Sequence, residues 1–245
     1  MGYDTLRIGH STRYEKGSRK SEVGCQKIPE TSNLCPSTSD FRLPFIILMQ
    51  METALDTLKK FIFAVHPLQP EEWEAIAGIW QPVQYKRKTV LTAAGETERH
   101  LYFVLEGVQR AFYVDAHHPE ATLVFTYAPS FSGIIDSFLT QLPARYFLET
   151  LTTSNMLRTT YQQIQQLMTA HPNIQSWILK VTSHAMRGVL ERQIELLTYS
   201  AEEKFRVLLK RSPHVLQLIP HKYLASYLGI DASTFSKLLA TVRIG

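Results

Sequence analysis

Between Pro82 and Tyr161 apolar and polar residues alternate in short runs, and this stretch constrains the fold more than any other. "VQYKRKTVLTAAG", "RHLYFVLEG", "VQRAFYVDAHHPEATLVFTYA" and "YFLETLTTSNMLRTTY" are rich in β-branched and aromatic residues. A period of two sends successive side chains to opposite faces of a strand. Turn signals fall at Gly95, Gly107 and "DAHHPE". Short strands punctuated in this way imply an antiparallel sandwich or barrel. "LYFVLEGVQRAFYV" reads as a hairpin turning at Glu106-Gly107. "SFSGIIDSFLTQLPARYF" reads as a loop with a short helical piece.

The flanks are helical. In "METALDTLKKFIFAVHPL" the apolar residues Leu55, Leu58, Phe61, Ile62 and Val65 fall at helical spacing. "LQPEEWEAIAGIW" starts a second helix, with Pro70 just inside and Glu71 and Glu72 in its first turn. Beyond Tyr161 the strand pattern stops, and after Pro172 no proline occurs up to Tyr199. A helix of that extent spans about 40 Å at 1.5 Å per residue. Ile174, Ile178, Val181, Ala185, Gly188 or Val189, Arg192 and Leu196 follow roughly a seven-residue repeat, which predicts a dimer seam. The alternative is a helix packed only on its own strand domain. "SAEEKF" is a capping box at Ser200 and Glu203, so a new helix begins there and ends before Pro213.

The last segment, "HKYLASYLGIDASTFSKLL", has the grammar of a helix-turn-helix. Ala225 supplies a small residue where two steep helices touch. Gly229 allows the positive φ of a sharp turn. Leu224, Leu228, Ile230, Phe235 and Leu238 form a shared inner face, and Asp231 caps the second helix. The outer face then carries Ala232, Ser233, Ser236 and Lys237, short or basic side chains suited to a major groove, with Thr234 beside them. Lys222 and Arg243 complete the expected DNA-contact set, with Lys204, Lys210 and Arg211 nearby. The competing reading is a helical hairpin that only packs.

Composition narrows the class. The chain has 245 residues, 44% of them hydrophobic and 20% charged, with a net charge of +4. That is ordinary for a soluble protein with a mild basic bias. No apolar run approaches the roughly 18 residues of a membrane helix, and the start has no secretory pattern, so a cytoplasmic location is expected. Cys25 and Cys35 are the two cysteines, which excludes thiolate-ligated metal or cysteine nucleophiles elsewhere in the chain. Residues 1–40 show no period and read as an extension without a core. With Met49 and Met51 just before the first helix, residues 1–50 are expected to be a tail or an upstream segment. "HHPE" at 117–120 reads as a solvated turn rather than a metal site. No phosphate loop of the nucleotidase type and no nucleophile elbow occurs, so an enzyme is not expected.

The order of parts resembles the Crp-Fnr superfamily of bacterial transcription regulators, especially members common in Bacteroidetes-type bacteria. The resemblance covers about residues 55–243 and rests on "GETERHLYFVLEGVQRAFYV", "FSGIIDSFLTQLPARYF", "ERQIELLTYSAEEKFRVLLKRSP" and "IPHKYLASYLGIDASTFSKLL". It implies an α+β chain: an antiparallel, jelly-roll-like β-roll with flanking helices, a long dimerisation helix and a C-terminal helix-turn-helix. The expected divisions are an extension at 1–50, a cyclic-nucleotide-binding-like sensor at 51–170, a dimerisation helix at 171–199 and a DNA-binding domain at 200–245. The implied partners are double-stranded DNA, a second copy through 171–199, and RNA polymerase, with no membrane.

By the same resemblance the effector pocket comprises Gly133, Ile134, Ile135, Asp136, Ser137, Arg145 and Tyr146. In cyclic-nucleotide binders a Glu after the loop glycine accepts from the ribose hydroxyls and an Arg neutralises the phosphate. Here Ile134 stands at the Glu position, Arg145 near the Arg position, and Tyr146 where a small hydroxyl residue is expected. An Ile cannot accept that hydrogen bond, and an unpaired hydroxyl costs about 1–3 kcal/mol. No cofactor is implied beyond an unidentified small-molecule effector, and cyclic AMP held in the usual way is disfavoured. The alternatives are a cyclic-nucleotide or other small-molecule binding module, or a regulator that needs no effector. In the recognition helix an Arg common in the family is Ala232, and little or no wing is expected beyond it.

Overall fold

The computed structural model describes residues 42–242 except residue 118, with side chains from Met51 onward. The expectations for residues 1–40 and for Arg243 fall outside the described residues. Two helices, α1 (Arg42–Val65) and α2 (Pro70–Ala77), lead into the strands. The boundary drawn at residue 50 therefore lies inside α1. Pro70 and the acidic first turn open α2 as the sequence predicts, and Glu72 accepts from the Gln69 amide at 2.8 Å.

Eight strands follow: β1 (Gln81–Tyr85), β2 (Val90–Thr92), β3 (His100–Glu106), β4 (Val108–Tyr113), β5 (Ala121–Tyr127), β6 (Ser130–Ser132), β7 (Phe147–Thr150) and β8 (Ser154–Thr160). They form two antiparallel sheets, β1-β8-β3-β6 and β2-β7-β4-β5. The short helix α3 (Ile135–Thr140) sits between β6 and β7.

The hairpin expected at Glu106-Gly107 does not form. β3 pairs with β6 and β8, whereas β4 pairs with β5 and β7 in the other sheet. Gly107 is the corner between the sheets. Its φ is +94°, and a Cβ there would lie 2.5 Å from the Ser154 hydroxyl and the Thr153 carbonyl. Only glycine fits that approach. Alternation along a strand reveals its two faces, not the sheet to which it belongs. The turn between β4 and β5 is a hairpin, as "DAHHPE" suggests.

The period of two sorts β3 into two cores. Leu101 and Phe103 face the helices, packing with Leu58, Ile62, Ile76, Trp80 and Trp177. Tyr102 and Val104 face inward between the sheets, with Ala111, Leu148 and Met156. Each fully buried large side chain contributes roughly 1.5–3 kcal/mol.

After α4 (Tyr161–Ala170), α5 (Pro172–Thr198) runs for 27 residues. Its first turns are amphipathic toward the chain's own sensor, with Ile174, Trp177 and Ile178 buried there. Two of the expected seam positions are thus intrachain core. Arg192 is also turned toward the C-terminal unit, its guanidinium 4.0 Å from the Tyr227 ring, and the exposed Leu196 reaches the edge of Gly229. The exposed large apolar residues of the helix are Leu179, Met186, Val189, Leu190, Ile194, Leu196 and Leu197. Of the other expected seam positions, Ala185, Gly188 and Val189 are exposed in the middle of the helix.

The C-terminal unit is α6 (Ala201–Arg211), α7 (Val215–Leu218), α8 (His221–Leu228) and α9 (Ala232–Thr241). The Ser200 capping box forms as predicted, with the Glu203 amide donating to the Ser200 hydroxyl and the Glu203 carboxylate accepting from the Ser200 amide. Phe205, Leu224, Leu228 and Phe235 are fully buried in its core.

Candidate nucleic-acid interface and sensor loop

The turn between α8 and α9 is built by local chemistry. Gly229 takes φ +63° and closes α8 through its amide. Asp231 accepts from the Thr234 amide at 2.9 Å, from the Thr234 hydroxyl at 2.9 Å and from the Ser233 hydroxyl at 2.5 Å. These donors hold its carboxyl below the usual range, so the cap persists well into acid.

With Phe235 buried, helical geometry turns Ala232, Ser233, Ser236 and Lys237 outward, and all four are exposed. Thr234 is half-buried and committed to the cap. Lys222 is exposed on α8, its ammonium 4.7 Å from the Tyr223 ring. Three short side chains and two lysines are thus exposed on α8 and α9, beside the capping Asp231.

The back of this unit is docked on the sensor. Ser226 accepts from the Thr122 amide at 2.9 Å and donates to the Glu120 carbonyl at 3.1 Å. Along β4, Val108 packs with the C-terminal helices and Arg110 meets Tyr223 of α8, while Ala111 packs between the sheets. Arg110 is 2% exposed and lies between the Phe112 ring at 4.1 Å and the Tyr223 ring at 3.7 Å. It donates to Glu149 and Glu120, each at 2.6 Å. Arg110 was not among the predicted functional residues. A cation in the apolar phase of "VQRAFYV" was the available signal.

The sensor loop brings together part of the expected pocket. Gly133 has φ +140°, and a Cβ there would sit 3.3 Å from the His100 carbonyl. Ile134 is buried in the inter-sheet cluster with Tyr102, Val104, Leu148 and Met156. Its side chain is core, as its chemistry dictates. Ile135 is half-buried, and Ser137 donates to the Leu142 carbonyl at 2.5 Å. Exposed Asp136 accepts from the Tyr146 hydroxyl, which with burial raises the Tyr146 phenol. Arg145 is exposed and forms no ion pair among the described residues: Glu149 is taken by Arg110.

Glu98, which the sequence did not single out, sits under this loop at 1% exposure. It accepts from the Thr92 hydroxyl at 2.7 Å, the His100 amide at 3.0 Å and the Ile134 amide at 3.3 Å. Burial outweighs these donors and raises its carboxyl pKa. A raised pKa means the folded state binds the proton more tightly than the unfolded chain, so this group's contribution falls as pH rises from about 4.3 through the folded value. The Tm-against-pH profile of Glu98→Gln is expected to fall less steeply than the parent's as pH rises above the ordinary carboxylate range, read by calorimetry. Parallel profiles would show that Glu98 titrates normally.

Residues 82–171 match the cyclic nucleotide-binding domain family. The chain is similar in structure to FixK2 from Bradyrhizobium japonicum, at 12% identity over 66% of this chain and 83% of that one, with a TM-score of 0.59. It is also similar to the c-di-GMP responsive global regulator CLP of Xanthomonas campestris, at 17% identity over 70% and 90%, with a TM-score of 0.53. A protein from Eubacterium rectale described as a transcriptional regulator of the crp/fnr family aligns at 13% identity over 71% and 82%, with a TM-score of 0.56. No curated protein sequence matches the chain. The segment that matches the cyclic nucleotide-binding domain family spans both sheets and the loop between them. The chain as a whole has the architecture of the Crp-Fnr regulators.

Proposed function

We propose that the protein is a homodimeric transcription regulator of the Crp-Fnr type that binds a two-half-site operator and acts on RNA polymerase at the neighbouring promoter. The observation that carries this reading is the outward face of α9, with Ala232, Ser233, Ser236 and Lys237 exposed while Phe235 anchors the helix. Lys222 and Lys237 neutralise phosphates, and the short side chains admit the helix to the groove. Pairing through α5 sets two such helices about 34 Å apart, one turn of DNA. Specificity rests on Ser233, Ser236, Lys237 and DNA shape, because Ala232 donates no hydrogen bond to a base.

The test is duplex selection from a random pool followed by fluorescence anisotropy across a salt series. The parent is expected to bind, with affinity falling steeply as salt rises. Lys222→Ala with Lys237→Ala should weaken all sequences together and lower the salt slope by about 1 per phosphate contact removed. Absence of duplex binding by the parent at low salt, or no change in the double variant, would refute the reading. In the sensor, Ile134 fills the space beside the loop, which supports an effector other than cyclic AMP held in the usual way.

A further inference from the structure

A cavity of about 270 Å³ opens where the sensor sheet, the last turns of α5 and the reading head meet. Phe125 and Tyr127 of β5, Arg192 and Glu195 of α5, and Lys204 and Arg211 of α6 contribute to its wall. Three cations therefore face one carboxylate. Glu195 is buried and has both oxygens committed, accepting from Arg211 Nη2 at 2.6 Å and from Arg192 Nη1 at 3.3 Å. Three cations against one carboxylate leave the wall with a net excess of positive charge. Lys204 is half-buried and forms no ion pair among the described residues. Arg192 Nη2 donates to the Tyr227 carbonyl, but its Nε is buried with no acceptor. A buried donor without a partner is an exception in folded proteins and marks a place where an acceptor fits. Most of the remaining lining is apolar, including Val207, Leu208 and Val215, with the Ser212 and Tyr127 hydroxyls hydrogen-bonded to each other.

We propose that this cavity binds a compact organic anion, a single carboxylate or phosphate group on a small apolar body, and that its occupancy holds the reading head against the sensor. Lys204 and the Arg192 Nε–H take the anionic group, and Phe125, Val207 and Val215 take the body. The volume lies at the small end of ligand sites, which excludes large ligands. A ligand held by β5, α5, α6 and α8 at once binds the docked arrangement and loses partners in any other. That difference in affinity is what a population shift requires. The regulatory half of the proposal rests on the reading of the chain as a DNA-binding regulator; the binding half does not.

The experiment is isothermal titration calorimetry on the full chain with phenyl phosphate, benzoate and inorganic phosphate, at ionic strength matched with sodium chloride. Phenyl phosphate is expected to bind once per chain, more tightly than inorganic phosphate. Lys204→Gln breaks no existing pair and should weaken it about tenfold, the effect of losing one charge-assisted contact. Lys210→Gln, on the exposed side of the same helix, should leave it unchanged. Val207→Trp, which fills the cavity, should abolish binding while the duplex still binds. No heat with any of the three compounds, or equal affinity in the Lys204 and Lys210 variants, overturns the site. Phenyl phosphate that binds without changing duplex affinity overturns the regulatory half. Duplex binding absent from the start refutes the regulator reading and leaves the site standing.

Discussion

Arg110→Met is expected to destabilise the fold by about 3–5 kcal/mol, the range for breaking one side of a buried ion pair. Arg110 is 2% exposed and Glu149 14%, so removal of the guanidinium leaves a shielded carboxylate without a counter-charge. Glu120 is 41% exposed and contributes less, because solvent screens it. The flat cation also fills the space between Phe112 and Tyr223, a contact worth roughly 2 kcal/mol when desolvated. For a chain of this size the change in Tm is on the order of 10 °C. Glu149→Gln added to Arg110→Met should recover most of the loss, because a buried ion pair replaced at both ends is often neutral. Tyr223→Ala keeps the ion pairs and removes only the ring from the reading head. It should raise hydrogen exchange in α8 before β3 or β8 is affected. Calorimetry and exchange together separate the two roles. A double variant as unstable as the single one would place the cost in packing rather than charge.

What the sequence discloses follows the distance between interacting residues. The caps at Ser200 and Asp231 close within three residues, and Gly229 needs only its own φ; all three are legible. The outward face of α9 follows from Phe235 and helical geometry alone. Arg110 and Glu98 are invisible in the same reading because their burial is decided far away. Arg110 meets Glu149 39 residues on, and Glu98 meets Ile134 36 residues on. The Gly107 corner fails for a related reason. β3 and β4 are adjacent in sequence, but distant partners assign them to separate sheets, His100 facing Thr160 on β8 and Gln109 facing Thr150 on β7. For the loop after β6 the sequence offers Gly133, whose φ is +140°. It does not reveal that a buried carboxylate, Glu98, already accepts from the loop amide.

Met186→Glu with Leu190→Glu is expected to separate the dimer and lower operator affinity by at least about 100-fold, the usual gain from joining two binding modules. Leu179, Ser183, Met186, Leu190, Gln193 and Leu197 succeed one another by alternate steps of four and three along α5. That spacing is the seam of a two-stranded coiled coil. The apolar members of the stripe are 49–76% exposed, with Val189 and Ile194 exposed beside them. A contiguous apolar strip of this kind on a helix otherwise solvated marks an interaction surface. The two glutamates would set four carboxylates against each other at the centre of the pair. They touch neither the sensor core, which uses Ile174, Trp177 and Ile178, nor the Arg192–Tyr227 contact with the reading head. Each half should keep its fold, with an unchanged far-ultraviolet spectrum and sedimentation as a monomer. Half-site binding should persist at the weak level of one head. A double variant that still sediments as a dimer would move the seam elsewhere, and a monomer with parental operator affinity would remove the second half-site from the mechanism.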